Sequence, residues 1–290
     1  MPIYDLHSHW GTERMYPLRG KAQQAKQVDV WKTECKFVSS DEMAAYLRRN
    51  DVRAMLDIGF TRELPLDEVR SLHDEMLAFG RANPDIVLGN WIQIGPDAGQ
   101  AGLDELERCR VAGVGITGLA VSAVGNRRPI TDPSFEPHYE YCVAHRMPVM
   151  FFVGYTGVGA GMRGGNGILL DLSHPRYVDE IAVRYPDLEI IAARSAWPWQ
   201  SEMIAILLHK PNVWAEFHGM SPKRLTDELK HEIRTRLKHK VMFANDYPLL
   251  HYEKIVGDWR AEGYPDDVLQ RVLSGNAERF LQKVQAARPA

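Results

Sequence analysis

The chain has 290 residues, 45% of them hydrophobic and 25% charged. These are ordinary values for a globular protein, and they exclude a disordered, collagenous or coiled-coil chain. The 35 Lys and Arg against 38 Asp and Glu give a net charge of −3, so no basic surplus exists to anchor nucleic acid.

The opening MPIYDLHSHW has neither a basic nor an apolar leader region, so a cleaved secretory signal is not expected. Apolar runs such as residues 148–154 fall far short of the roughly 20 residues that a membrane span needs. Cys35, Cys109 and Cys142 form no C-x-x-C pair. A sparse, odd set points to reduced thiols and a cytoplasmic protein.

In chain order, a first strand is predicted over residues 2–6 and is followed by a long segment, 11–39. The stretch SSDEMAAYLRRN then has helical periodicity, with Ser40 as N-cap and Met43 and Leu47 on one face. A strand over 53–58 leads to a second helix that stops at Asn83-Pro84. Strands over 86–94 and 115–121 flank the helical GLDELERCRVAG. A strand over 148–153 runs into a glycine-rich segment, 154–173. Strands over 188–193, 212–217 and 240–244 alternate with the helical HPRYVDEIAVRYP and WQSEMIAILLHKP, each of which exits at a proline. The strand runs are continuous rather than alternating, as in strands buried on both faces.

Eight strand signals alternating with helices predict an α/β fold, a single (β/α)8 TIM barrel spanning residues 1–290. A doubly wound open sheet is the alternative, but it usually carries a glycine-rich turn after its first strand. The segments 11–39 and 154–173 follow the first and fifth strands, on the side where barrel enzymes build their sites. Both are expected to cover a substrate.

Two features look chemical. In Asp5-Leu6-His7-Ser8-His9, alternate strand residues share a face, so His7 and His9 are expected to project together into the barrel mouth. A pair of imidazoles there begins a Zn or Mn site, whereas either histidine alone also suits a solvated or core position. Asp246, in Phe243-Ala244-Asn245-Asp246-Tyr247-Pro248, ends the eighth strand beside the first. A carboxylate there ligates a metal or acts as general acid/base; alone it equally suits a helix cap or turn.

Together D-L-H-S-H at the start, A-x-x-A-W-P-W-Q from Ala193 and F-x-x-D-Y-P-L from Phe243 resemble the amidohydrolase superfamily. The likeness is to its amidohydrolase-2 branch, related to aminocarboxymuconate-semialdehyde decarboxylase, and runs from His7 to Asn276-Ala277-Glu278-Arg279. The resemblance implies a barrel of the metal-dependent-hydrolase type, with a site on its C-terminal face. It also implies a divalent metal held by His7, His9 and Asp246. Members of the branch hydrolyse lactones or amides, hydrate double bonds, or decarboxylate aromatic and muconate-like acids. Oligomerisation is implied by the resemblance alone.

The chain departs from the family at two places. Phe152 stands where the family carries a metal-ligand histidine on the fifth strand, and Arg194 stands where a second histidine ends the sixth. Phe does not coordinate, and Arg stays charged. A guanidinium about 4 Å from a dication is repelled by roughly 8 kcal/mol at an effective dielectric of 20, unless Asp246 or a substrate neutralises it. Both a weak metal and no metal therefore remain open. Glu216 is a substitute ligand or a salt-bridge partner of Arg194, and shares a strand face with His218.

Arg194 is expected to clamp a substrate carboxylate or an oxyanion. Asp246 would then be the acid/base, with His7 and His9 as proton carriers or ligands. Trp10, Tyr155, Arg163, Glu216 and His218 are the expected substrate contacts, with Trp199 in the core. Lys223 is a solvated lysine or an anion contact. The glycines of 154–167 form neither a Walker A loop nor a dinucleotide fingerprint; they suit a lid or a merely flexible loop. The leading expectation is a hydrolase of a small carboxylated cyclic substrate, a lactone or amide. The alternatives are a carboxy-lyase of an aromatic or muconate-like acid, and a non-catalytic metabolite-binding barrel. Neither nucleic acid nor membrane is an expected partner.

Overall fold

A computed structural model describes residues 2–16, 21–59, 61 and 64–286. Eight strands follow one another in the chain: β1 (Ile3–His9), β2 (Val52–Asp57), β3 (Val87–Ile92), β4 (Ile116–Val121), β5 (Val149–Phe152), β6 (Ile190–Ala193), β7 (Val213–Glu216) and β8 (Val241–Met242). Each pairs in parallel with the next. The last meets the first through Leu6 N–H to Phe243 O at 3.0 Å and Asp246 N–H to His7 O at 3.1 Å. With helices between the strands, this is the (β/α)8 TIM barrel predicted from the eight apolar runs. No helix among the described residues is long and apolar enough to cross a membrane.

Burial on both strand faces explains why those runs do not alternate. One face packs on the surrounding helices. The other fills the barrel with Leu6, Met55, Trp91, Met150, Ile191 and Trp214. Trp91 crosses the interior beside Gly118, where a Cβ would lie 2.2 Å from its ring, and its indole N–H bonds Leu6 O at 2.7 Å. At the far end Ala277, Phe280, Leu281 and Val284 of the helix Asn276–Ala286 join the same cluster. The mouth at the strand C-termini is therefore the open end.

Local differences from the sequence reading have local causes. The helix Ser40–Arg49 is capped by Ser39 rather than Ser40. Only Ser39 lies three residues before Glu42, and the two exchange side-chain to backbone hydrogen bonds in a capping box. β8 is reduced to two residues, because Phe243 N–H turns away to Val272 O at 2.8 Å. β1 runs three residues beyond its predicted end. The three cysteines are free.

The two long segments meet above the mouth. The first carries the helix Lys21–Trp31; its residues 17–20 lie outside the described residues. Trp31 stacks on Tyr155 of the second, with ring centroids 5.9 Å apart. Gly157 has no Cβ to displace the Trp31 ring, which a Cβ would approach to 3.1 Å.

Candidate active site at the barrel mouth

The register of β1 decides where its histidines point. Asp5 pairs with Ala54 but Ser8 pairs with Leu56, so three steps on β1 match two on β2. This bulge adds a residue and breaks the two-residue alternation. Leu6 lies in the interior cluster, and the next side chain also turns inward: His7 stands edge-on to Phe152 of that cluster at 5.4 Å and to His9 at 4.8 Å. The Asp5 carboxylate holds the bulge. It accepts the His7 and Asn245 backbone N–H groups at 3.0 and 3.1 Å, and the Tyr252 hydroxyl at 2.6 Å.

Asp57, at the end of β2, is fully buried and orients both histidines. Its carboxylate takes a hydrogen bond from His7 Nε2 at 3.1 Å, and its backbone carbonyl takes one from His9 Nδ1 at 3.1 Å. Gln93 Nε2 and Gly59 N–H also donate to the carboxylate. Burial alone would raise its pKa, but the His7 hydrogen bond and the fields of His9 and His7 outweigh it, and the net shift is downward. Asp57 is thus an acceptor only, which places the protons on His7 Nε2 and His9 Nδ1.

The opposite ring nitrogens converge. Among the described residues His7 Nδ1 is buried without a hydrogen-bond partner, and burial together with the His218 field pushes the ring down to about 4, so it is neutral. His9 Nε2 lies 3.2 Å from Asp246 Oδ1. Ligand atoms of His7, His9 and Asp246 all fall within 4.8 Å of one another. His9 Nε2 facing this carboxylate needs a proton or a cation between them; burial opposes protonation, but the Asp246 hydrogen bond and the fields of Asp57 and Asp246 raise the His9 pKa, so a proton takes that place when no cation is bound. The set fits a divalent cation: two imidazoles with the second nitrogen of each tied to an outer acceptor, and one carboxylate.

A second group, His7, Glu216 and His218, is equally compact but already hydrogen-bonded within the protein. Glu216 Oε1 accepts His218 Nδ1–H at 2.6 Å, and Oε2 accepts the His218 backbone N–H at 2.8 Å. Arg194 Nε donates to His218 Nε2 at 3.0 Å. Both nitrogens of His218 are occupied, and the ring is neutral, held down to about 3 first by burial. Burial pushes Glu216 up to about 7. Glu216 meets Arg194 through His218 rather than as a direct ion pair.

Arg194 and Asp246 close the site. Both have left-handed backbone, with φ of 78° and 75°, a conformation that costs roughly 1–2 kcal/mol for a residue with a side chain. The Arg194 guanidinium lies over the Phe152 ring at 5.4 Å and donates from Nη1 to Tyr155 O at 3.1 Å. Among the described residues its Nη2 has no hydrogen-bond partner. For Asp246, burial raises the pKa, but the His9 hydrogen bond and the fields of His218, His9 and His7 dominate and hold it well below the usual carboxylate range.

A cavity opens on these groups, lined by Trp31, Tyr155, Arg194, Trp197, His218 and Asp246 among others. The structure thus gathers His7, His9, Arg194, His218, Asp246 and Tyr155. Glu216 is fully buried behind His218. Trp10 is 2% exposed and packs edge-on against Phe79 in the helix-side core. Arg163 is exposed at the start of a short 3-10 turn in the second insertion. Sequence reasoning missed Asp57, Gln93 and Trp31. Asp57 did leave a signal, a lone carboxylate inside the apolar run 53–58; Trp31 left none.

A family model described as Amidohydrolase matches residues 38–283. The chain belongs to the amidohydrolase superfamily. The match starts beyond His7 and His9, so the first-strand histidines rest on the geometry above. No curated protein matches the sequence. Among solved structures, this amidohydrolase is similar to a dihydroxybenzoic acid decarboxylase from Polaromonas sp. JS666 with bound manganese and 2-nitroresorcinol. The TM-score is 0.72 and the identity 14%, covering 97% of each chain. It is also similar to 5-carboxyvanillate decarboxylase from Sphingomonas paucimobilis, with a TM-score of 0.68 and 17% identity over 97% of this chain and 99% of the other. A third is a probable 2-pyrone-4,6-dicarboxylic acid hydrolase from Acinetobacter baumannii with bound citric acid. Its TM-score is 0.63 and its identity 11%, over 97% and 99%. At these identities the likeness carries the fold.

Proposed function

We propose that this amidohydrolase hydrolyses a small, planar, carboxylated cyclic substrate of the lactone or amide class. The observation that carries the reading is the placement of Asp246: its carboxylate lines the cavity, 3.2 Å from His9 Nε2. An ionised carboxylate has no proton to give to carbon; it can only accept one, from a water made more acidic by a metal. His7 Nδ1, His9 Nε2 and Asp246 would hold a divalent metal. When bound there, the metal supplies Lewis-acid polarisation of a carbonyl and a more acidic water. Arg194, with Nη2 unused, binds the substrate carboxylate or the developing oxyanion. Trp31, Tyr155 and Trp197 flank a planar ring and exclude water. In this reading Phe152 and Arg194 stand in place of two family ligands, and the Arg194 charge is offset by the fields of Asp246 and Glu216.

A specific observation favours a second reading, decarboxylation of an aromatic acid. The walls are aromatic and, among the described residues, the cavity-lining cation is a guanidinium, a combination suited to a planar carboxylate, and two of the compared structures are decarboxylases. The deciding experiment incubates the enzyme in 18O-labelled, deuterated water with carboxylated lactones, amides and hydroxybenzoates. Hydrolysis puts 18O into a new carboxylate and is lost in Asp246→Asn. Release of CO2 with deuterium at carbon and no 18O would establish the lyase instead. A ligand that co-purifies and returns unchanged would leave a binding barrel.

A further inference from the structure

We infer that Glu216 and His218 are positioning residues for Arg194, a buried carboxylate–imidazole relay that aims the guanidinium at an anionic ligand group. The inference rests on the reading of Arg194 as the anion-binding group. An arginine head on a flexible stem carries rotamer entropy that must be removed before it binds an anion tightly. Three contacts remove it here. Nε donates to His218 Nε2 at 3.0 Å, Nη1 donates to Tyr155 O at 3.1 Å, and the guanidinium covers the Phe152 ring at 5.4 Å. Nε–H is always a donor, so His218 Nε2 is a lone pair and Nδ1 carries the ring proton. That proton goes to Glu216 Oε1 at 2.6 Å, while Oε2 grips the backbone N–H of the same histidine at 2.8 Å.

The relay runs one way, from a carboxylate outside the cavity to a guanidinium lining it. Glu216 and His218 are 0% and 1% exposed, and Glu216 is not among the cavity-lining residues. A buried carboxylate with both oxygens spent on one histidine has no position from which to touch a ligand. What it does is fix the tautomer and tilt of His218, and through them the edge that Arg194 turns outward. Nη2 and the second N–H of Nη1 remain for a carboxylate in the two-pronged geometry that arginine favours.

The test uses benzoate as probe and benzamide as its uncharged counterpart, with binding followed by calorimetry on the full chain. The Arg194 Nε–H resonance is followed in 15N spectra. Wild type is expected to show a protected Nε–H and to prefer benzoate. His218→Leu and Glu216→Gln are expected to weaken benzoate by about tenfold, the value of one hydrogen bond to a charged group, and to leave benzamide unchanged. His218→Gln, whose amide both accepts from Nε–H and donates to Glu216, is expected to restore the signal and most of the affinity. This rescue would not follow from a merely structural role. An unprotected Nε–H in wild type, or a folded His218→Leu with full benzoate preference, would overturn the relay. A protected Nε–H that His218→Leu abolishes, in a protein blind to benzoate, would support the relay and sink only the anion-binding reading.

Discussion

The Asp5 carboxylate accepts the backbone N–H of His7 at 3.0 Å, within the bulge that turns His7 and His9 into the barrel. The same carboxylate takes the Asn245 N–H, and so ties the first strand to the segment that carries Asp246. Asp5→Ala strands several buried donors at once. It is expected to cost about 3 kcal/mol or more in urea unfolding, each orphaned donor being worth about 1–3. Asp5→Asn keeps one acceptor oxygen and should lose less. Equal stability for all three proteins would show that the bulge is held by something else.

Asp57 touches both histidines from outside the cation-binding atoms. Asp57→Ala is expected to lower the affinity for zinc or manganese by about 10–100-fold, the usual effect of losing an outer-shell partner. His7→Ala removes a ligand atom and should abolish binding. Metal competition against a chromophoric chelator distinguishes the two; an Asp57→Ala protein with wild-type affinity would remove Asp57 from the site.

Gly118 faces the Trp91 ring, and a methyl group there would lie 2.2 Å from Cζ3 and 3.0 Å from Pro148 O. Gly118→Ala is expected to destabilise the barrel by about 3 kcal/mol, the upper end for overpacking. The pair Gly118→Ala with Trp91→Leu should recover part of that loss, as coupled neighbours do. Strict additivity in thermal unfolding would contradict this packing.

His138 is buried on the helix Glu136–Ala144, with neither ring nitrogen hydrogen-bonded among the described residues, and burial lowers it to about 4. The unfolded chain protonates this residue near its ordinary value of about 6.5. The folded protein resists protonation until about 4. Stability from the neutral ring is therefore complete above the unfolded value and is lost as pH falls through that window, by up to about 3 kcal/mol. His138→Leu should flatten the stability profile between these pH values. An unchanged slope would place the acid sensitivity elsewhere.

Much of the barrel was legible because burial on both strand faces writes itself into composition: each strand is a continuous apolar run between helix exits. His7, His9 and Asp246 were legible because polar residues at the ends of such runs have few reasons to be there. Asp57 obeys the same logic and was passed over inside its run. Trp31 was not legible, since its partner Tyr155 is 124 positions away in sequence and both sit in segments without periodicity. Trp10 is expected at the substrate because it follows His9, and Arg163 because it lies in the glycine-rich loop. The chain turns Trp10 into the helix-side core, and Arg163 is exposed in its loop.

By itself, then, the sequence determined the architecture, because a continuous apolar run between helix exits is a local signal that repeats eight times. It also determined the residue types available at the mouth. Only the tertiary structure decided which atoms meet. A one-residue bulge reversed the alternation in β1, Asp57 chose the tautomers of two histidines, and the Glu216–His218 pair aimed Arg194. Register and hydrogen-bond direction depend on the partner strand, and a partner strand is absent from any local stretch of sequence.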